Sequence, residues 1–296
     1  MKKNALLILL AVLAVFAPQT MQARKEMALQ LYSIRTVFGN NNYAEKHAEI
    51  FKQLHDMGYT AVEAASYNDG KLYGVDPAQF KADLAAAGLT ALSSHTTYRL
   101  SDKELADHDF TKAMQWWDKC IAAHKAAGMK YIVTPWGPVP KNLKDAQTLC
   151  DYHNAVGEKC NAAGIRYGYH THSHEYKNIG DTKTKWIQYM MDHIDAKNMF
   201  WEMDVYWCVM AQESPVEWFK KYPGRFTLLH IKDKYELGES GMVNFSTIFK
   251  NSDVCGLRGY IVELERTDGT ISIMEGVKRS ADYLNGLKDV KKSYDK

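Results

Sequence analysis

The chain lacks a charge excess of either sign. Its 296 residues carry 37 lysines and arginines against 35 aspartates and glutamates. Nucleic acid is held through a surplus of Lys and Arg, so this balance counts against such a partner. The chain also lacks a C-x-x-C pair. Its cysteines, Cys120, Cys150, Cys160, Cys208 and Cys255, are odd in number and follow no disulfide-framework spacing. Cys150 and Cys160 fall in one expected helix, where ten residues of rise separate them by about 15 Å. They cannot bridge there, and buried free thiols are expected. No G-x-G-x-x-G follows the first expected strand, which runs into "QLYSIRTVFGNNNY". That absence counts against a doubly wound dinucleotide-binding sheet. Beyond the amino-terminal segment no apolar run reaches the about 20 residues a membrane span needs. No linker, low-complexity tract or long charge run divides the chain.

The amino-terminal segment is different. "MKKNALLILLAVLAVFAPQTMQA" has Lys2 and Lys3, an apolar run from Ala5 to Ala17, and the small residue Ala23 at a cleavage position. This is the anatomy of a secretory signal peptide. No cysteine lies near the cleavage point to carry a lipid. The expected organisation is a signal peptide over 1–23 and one domain over 24–296, exported and periplasmic. Removing the segment takes away two lysines and leaves 35 charges of each sign.

What is present is a regular punctuation by glycine. Gly58, Gly88, Gly128 and Gly164 each end a helical pattern and open a short apolar run. A glycine just past a helix supplies the left-handed residue that closes it. Asp76-Pro77 and Ser214-Pro215 place a capping side chain before a proline at the first helical position. The pattern predicts strands at 27–32, 59–64, 89–95, 129–134, 165–171, 199–205, 226–232 and 258–264, alternating with helices. Eight such units predict an α/β fold, a single-domain (β/α)8 TIM barrel. The stretch 232–246 reads as a loop over its mouth.

In such a barrel the active site lies at the carboxyl ends of the strands. There the sequence offers Tyr32, Glu63, His95, Trp136, then His170 and His172 with Glu175 beyond, Glu202 and Asp204, His230 and Lys232, and Glu263 and Glu265. Four successive strands each bring His, Asp or Glu to one end, a convergence that a divalent cation needs. Period two puts His170 with His172, Glu202 with Asp204, and Glu263 with Glu265. It does not choose between the members of each pair.

The order "YHTHSHEY", "MDVYW", "LLHIKD", "IVELE" resembles the sugar isomerase/epimerase superfamily with the xylose isomerase-like barrel, over essentially all of 24–296. The resemblance implies one divalent ion, Mn, Co, Zn or Mg, held by Asp204, His230 and Glu263 and a residue of the fifth strand. Tagatose-type epimerases place a glutamate six residues after the glycine opening that strand. Six residues after Gly164 stands His170, which is the expected fourth ligand, with Glu175 as the alternative. Trp207 stands where some epimerases have a second histidine. Glu175 is the expected base, hanging over the site from the loop, with Lys232, His95 and His172 as further catalytic candidates. His174 is expected to be support or solvent-facing. Tyr32, Glu63, Trp136 and Trp207 are the expected substrate contacts.

The expected function is metal-dependent enolate chemistry on a small-molecule sugar or glycoside, of the isomerase or epimerase type. Elimination from a 3-keto-glycoside is the alternative that export favours. A non-catalytic carbohydrate-binding barrel would keep the aromatics but needs no converging ligands. Phosphodiester cleavage, which shares the barrel type, needs a multi-metal cluster and a basic surface. Self-assembly into a homo-oligomer stays open at this level. Expressed from its own Met1, the protein is expected outside the cytoplasm with an amino terminus near Arg24. Amino-terminal sequencing checks this, and an intact Met1 on cytoplasmic protein would refute it.

Overall fold

The structure is a computed structural model that describes residues 25–38 and 42–294. The expected leader over 1–23 lies outside the described residues. The eight strands fall inside the eight expected ranges: β1 Ala28–Gln30, β2 Ala61–Ala64, β3 Thr90–Ser94, β4 Tyr131–Thr134, β5 Arg166–His170, β6 Phe200–Asp204, β7 Leu228–Lys232 and β8 Gly259–Glu263. They are parallel and ordered β3-β2-β1-β8-β7-β6-β5-β4. The two end strands meet through a bridge between His95 and Val133, with Thr96 N–H donating to the Val133 carbonyl (3.0 Å) and Lys130 N–H to that of Leu92 (3.1 Å). The barrel therefore closes, with its sparsest seam between β3 and β4.

A helix follows each strand: α1 Tyr43–Asp56, α2 Pro77–Ala86, α3 Thr111–Ala126, α4 Leu143–Ala162, α5 Trp186–His193, α6 Pro215–Lys221, α7 Phe245–Lys250 and α8 Ile273–Gly286. Their starts obey the capping chemistry in the sequence. Asp76 accepts from Ala78 N–H (2.9 Å) and Ser214 from Glu217 N–H (3.4 Å), each just before a proline. Gly58, Gly88, Gly128 and Gly164 all have φ between +74° and +103°, a region costly to other residues. The cysteines are free and buried. No helix among the described residues is long and apolar enough to cross a membrane.

The barrel interior is layered by period two. Its lower layer is apolar: Ala28, Tyr131, Val133, Phe200, Leu228 and Ile261 pack together. Two residues further along, Ala28 gives way to Gln30, Phe200 to Glu202, Leu228 to His230 and Ile261 to Glu263. The interior thus changes from hydrocarbon to ionisable groups toward the carboxyl ends. The larger apolar cluster, including Trp117, Trp186, Trp201 and Tyr260, fills the space outside.

Two expectations about loops need correction. Strand one was expected to end at Tyr32. Instead the Gln30 side chain accepts from Tyr32 N–H (2.9 Å) and starts a 3-10 turn over Leu31–Ile34. The stretch 232–246 was expected over the mouth. Buried Asp233 turns it aside, accepting from the N–H groups of Lys234 (2.8 Å) and Gly238 (3.1 Å) and from the Ser240 hydroxyl. Leu237 N–H donates to Ser280 of α8 (3.2 Å), so the loop is pinned against that helix.

Gly157 marks the closest approach of α4 to the chain before β6, where an added Cβ would lie 2.1 Å from the Asn198 carbonyl oxygen. Backbone cannot move aside as a side chain end can. Gly157→Ala is expected to destabilise the protein by about 1–3 kcal/mol through overpacking, measured by urea unfolding. An unchanged midpoint would contradict this packing.

Candidate metal centre and sugar site

The site is built upward from two buried carboxylates. Glu63 and Glu202 have no exposed surface. A register shift between Val62 and Glu63 places Ser93 opposite Glu63, and the Ser93 hydroxyl donates to Glu63 Oε2 at 2.6 Å. Such bulges re-aim a side chain. Glu63 Oε1 accepts from Gln30 Nε2 (2.8 Å), His95 Nε2 (3.0 Å) and His230 Nε2 (2.7 Å). Glu202 Oε2 faces His95 Nε2 (2.7 Å), His170 Nδ1 (3.1 Å) and His230 Nε2 (3.2 Å). Burial and the neighbouring Glu202 raise the Glu63 pKa. For Glu202, burial acts in the opposite direction but His230 and His95 hold it well below the carboxylate range.

Above this floor, His170, Asp204, His230 and Glu263 form a cluster whose potential ligand atoms all lie within 4.8 Å of one another. These are the four expected ligands. Glu175 is not among them, and groups instead with His172 and His174. Asp204 Oδ1 caps the short helix after β6 by accepting from Trp207 N–H (2.9 Å), while its Oδ2 is buried without a partner. Burial, opposed by Lys232 and reinforced by Glu263, pushes the Asp204 carboxyl up to about 7. Burial holds His170 well below its usual pKa, so the ring is neutral. Because ionised Glu202 can only accept, His170 Nδ1 carries the proton and Nε2 keeps the lone pair. A carboxylate behind a histidine is the usual support of a metal ligand.

His230 faces Glu263 through Nδ1 (3.1 Å) and the two floor carboxylates through Nε2. Although burial opposes it, Glu202 and Glu63 raise its pKa well above normal. To act as a ligand His230 must release a proton, as metal binding commonly requires. An unpartnered buried carboxylate oxygen, a neutral imidazole with a free nitrogen and two further donors fit a divalent cation.

The cavity over this cluster has a volume of about 410 Å³. His95, His170, His172, Lys232 and Glu263 line it, with Tyr32, Trp136 and Trp207 as aromatic walls and Glu265 at the rim. Tyr32 and Trp136 are 45% and 43% exposed. Lys232 Nζ donates to Glu265 (2.8 Å), lies 3.6 Å from Glu263 and sits 5.7 Å from the Trp207 ring centre. Against its burial, Glu263 and Asp204 raise its pKa, so it stays an ammonium. Burial lowers His172 to about 4, and its Nδ1 has no partner.

Two expected roles do not match these positions. Glu63 was expected to touch substrate, but it lies sealed beneath His95 and His230 with both oxygens committed to the protein. Glu175 was expected to overhang the site as a base. It is fully buried, accepting from the Tyr169 hydroxyl (3.1 Å) and His172 N–H (2.8 Å) and pairing with His174 Nε2 (3.0 Å). A 3-10 turn over His174–Tyr176 tucks it behind the cavity wall, where it positions His172. His174 also binds the Gly137 carbonyl (2.9 Å) and is support. Glu202 was paired by parity with Asp204 and given no role, yet it organises three histidines. Its only signal in the sequence was that parity.

A cluster of this kind at the carboxyl mouth of a (β/α)8 barrel, under a cavity walled by aromatics, is a small-molecule site with groups able to hold a divalent cation. The chain belongs to the xylose isomerase-like TIM barrel family, which residues 51–287 match. It is 34% identical to a sugar phosphate isomerase/epimerase from Parabacteroides distasonis, covering 94% of this chain and 99% of that one with a TM-score of 0.83. A second sugar phosphate isomerase/epimerase from that organism is 33% identical over 90% of this chain and all of its own, with a TM-score of 0.81. An L-ribulose 3-epimerase structure has the same fold at 14% identity, with 88% and 93% of the two chains covered and a TM-score of 0.69. No curated protein matches the chain.

Replacing Glu175 by Gln puts an amide group against donors that now meet a carboxylate. Glu175→Gln is expected to cost about 1–3 kcal/mol of stability, the range for a buried polar group left unsatisfied. Bound metal is expected to remain at the parental level in elemental analysis. Loss of metal would instead place Glu175 among the ligands.

Proposed function

We propose that the protein is a metal-dependent sugar isomerase or epimerase that removes and returns a proton beside a sugar carbonyl. The observation that carries this reading is the cluster of His170, Asp204, His230 and Glu263, of which His170 and Glu263 line the cavity, with a buried oxygen of Asp204 unpartnered. The sugar phosphate isomerase/epimerase names of the two relatives above 30% identity support the isomerase or epimerase class. A divalent cation held by these four residues supplies a Lewis acid that stabilises negative charge developing on the sugar oxygens.

The chain's own residues then handle orientation and protons. Trp136, Trp207 and Tyr32 offer flat faces for a sugar ring. Lys232, held by Glu263 and Glu265, presents its ammonium to a sugar oxygen. His172 is neutral and its ring lines the cavity, so it is the group assigned to take the proton. Glu175 fixes it from behind through its backbone N–H. Return of the proton to the opposite face is epimerisation, and return to the adjoining carbon is isomerisation. The signal-peptide-like pattern of residues 1–23 supports an exported, periplasmic setting for this chemistry.

The test is incubation of the metal-loaded protein with ketoses and 3-keto-glycosides in D2O. Deuterium uptake at the carbon beside the carbonyl is the expected result. Asp204→Ala and His230→Ala are expected to lose bound metal and exchange together. His172→Gln is expected to keep metal and slow exchange about a hundredfold, the scale of a lost general base. Absence of exchange with every sugar sinks the reading, and release of the aglycone from a keto-glycoside would change the reaction to elimination.

A further inference from the structure

A second cavity of about 410 Å³ adjoins the first. The two share Trp136 as a common wall. The same two strand ends build both. His95 and Pro135 face the metal-side cavity, whereas Thr97 and Thr134, one or two residues away, face the second. These residues flank the β3–β4 seam, where the barrel closes through the fewest backbone bonds. The extra space lies beside the β3–β4 seam, separated from the site by the Trp136 side chain.

The walls of the second cavity are fixed before any ligand arrives. Tyr152 OH donates to the Tyr98 carbonyl (2.8 Å) and accepts from Trp117 Nε1 (2.7 Å), and Tyr98 OH donates to Glu104 (2.9 Å). Aromatic and aliphatic surface from Tyr98, Leu105, Trp136, Val139 and Leu149 lines the cavity. At its edge charge is balanced, with Arg99 and Lys141 against Asp102 and Asp145. Asp145 sits in the first turn of α4, and Asn142 caps its N–H at 2.9 Å, so that helix start is already served by an acid. Lys232, the ammonium of the first cavity, is occupied by Glu265 and Glu263. In the second cavity a phosphate finds no concentrated positive charge among the lining side chains. A neutral ring bearing hydroxyls finds flat apolar faces and donors and acceptors of both signs around them.

We propose that the second cavity is a subsite for a second sugar ring, so that the substrate is a two-ring glycoside rather than a sugar phosphate. This rests on the sugar-site reading of the first cavity. Pockets for small ligands run from roughly 300 to 1,000 Å³, so each cavity suits one ring and the pair suits two. One ring lies over the His170–Asp204–His230–Glu263 cluster, and its neighbour passes the Trp136 edge and stacks against the far wall.

The test uses the metal-loaded full chain and reads equilibrium binding by calorimetry, which needs no turnover. The probes are glucose, glucose 6-phosphate and a panel of glucose disaccharides of different linkage, including cellobiose, laminaribiose, sophorose and maltose. At least one disaccharide is expected to bind about tenfold or more tighter than glucose, a difference of about 1.4 kcal/mol. Ala106 is exposed, sits on the helix Asp102–Asp107 and lines only the second cavity. Ala106→Trp fills that space and is expected to abolish the disaccharide advantage while leaving glucose affinity unchanged. Ala106→Phe repeats the test with a smaller group if the first variant folds poorly. Equal affinity for glucose and every disaccharide overturns the proposal, as does an equal loss for both in the filled variants. A gain confined to glucose 6-phosphate, and lost on filling, would hand the cavity to a phosphoryl group and also overturn it. Deuterium exchange is a separate arm: disaccharide selectivity without exchange overturns the enolisation reading and leaves the subsite standing.

Discussion

Two carboxylates placed where water cannot reach are the constraint on which the rest of this site depends. Glu63 and Glu202 are both fully buried near the centre of the barrel. Desolvation penalises each charge, and each raises the cost of the other. The fold compensates with His95 and His230, both of which reach both acids, and with neutral donors from Gln30 and Ser93. Breaking one partner from such a buried set costs about 3–5 kcal/mol. The arrangement therefore holds the imidazoles in fixed orientations. His95 stacks on His230 with ring centres 5.0 Å apart and planes 9° from parallel, which leaves neither ring free to turn. The ligand cluster above inherits that rigidity.

The architecture was legible because its signals are local and repeated. A glycine after a helix, a capped proline start and a short apolar run each report on a few residues, and eight repetitions limit the topology to a barrel. The candidate cluster was legible only in part: parity along a strand fixes which face a residue occupies and brought the pairs of acids and histidines to the strand ends, but the choice of one member from each pair came from the resemblance. His170, Asp204, His230 and Glu263 all lie at strand ends where that parity holds.

Beyond the last hydrogen-bonded pair, parity says nothing. Glu175 lies five residues past His170 and was expected to overhang the cavity, but a 3-10 turn and three polar contacts turn it inward. Tyr32 left its strand for the same kind of reason, a side chain capping the next turn. The 232–246 stretch was misplaced because Asp233, which reads as one more strand-end acid, spends its oxygens on its own loop. Glu63 misled in the opposite way. Its parity was right, but the depth at which it sits depends on the bulge opposite Ser93, and no sequence periodicity reports a bulge.

The substitution that sets this chain apart from the epimerases it resembles is His170 in place of a glutamate, and its consequence is electrostatic. With His170 neutral, the cluster's negative charge comes from Asp204 and Glu263 alone. A divalent cation held there would bring the four groups to neutrality once His230 and Asp204 had given up their protons. A third carboxylate would have left a net negative charge beside Glu63 and Glu202, both already costly to bury. In this interior a histidine is the replacement that keeps the added charge off the floor. Glu202 orients this histidine through Nδ1 at 3.1 Å. The paired "EMD" residues on β6 thereby divide the work: Asp204 keeps a buried oxygen unpartnered in the cluster, and Glu202 holds His170.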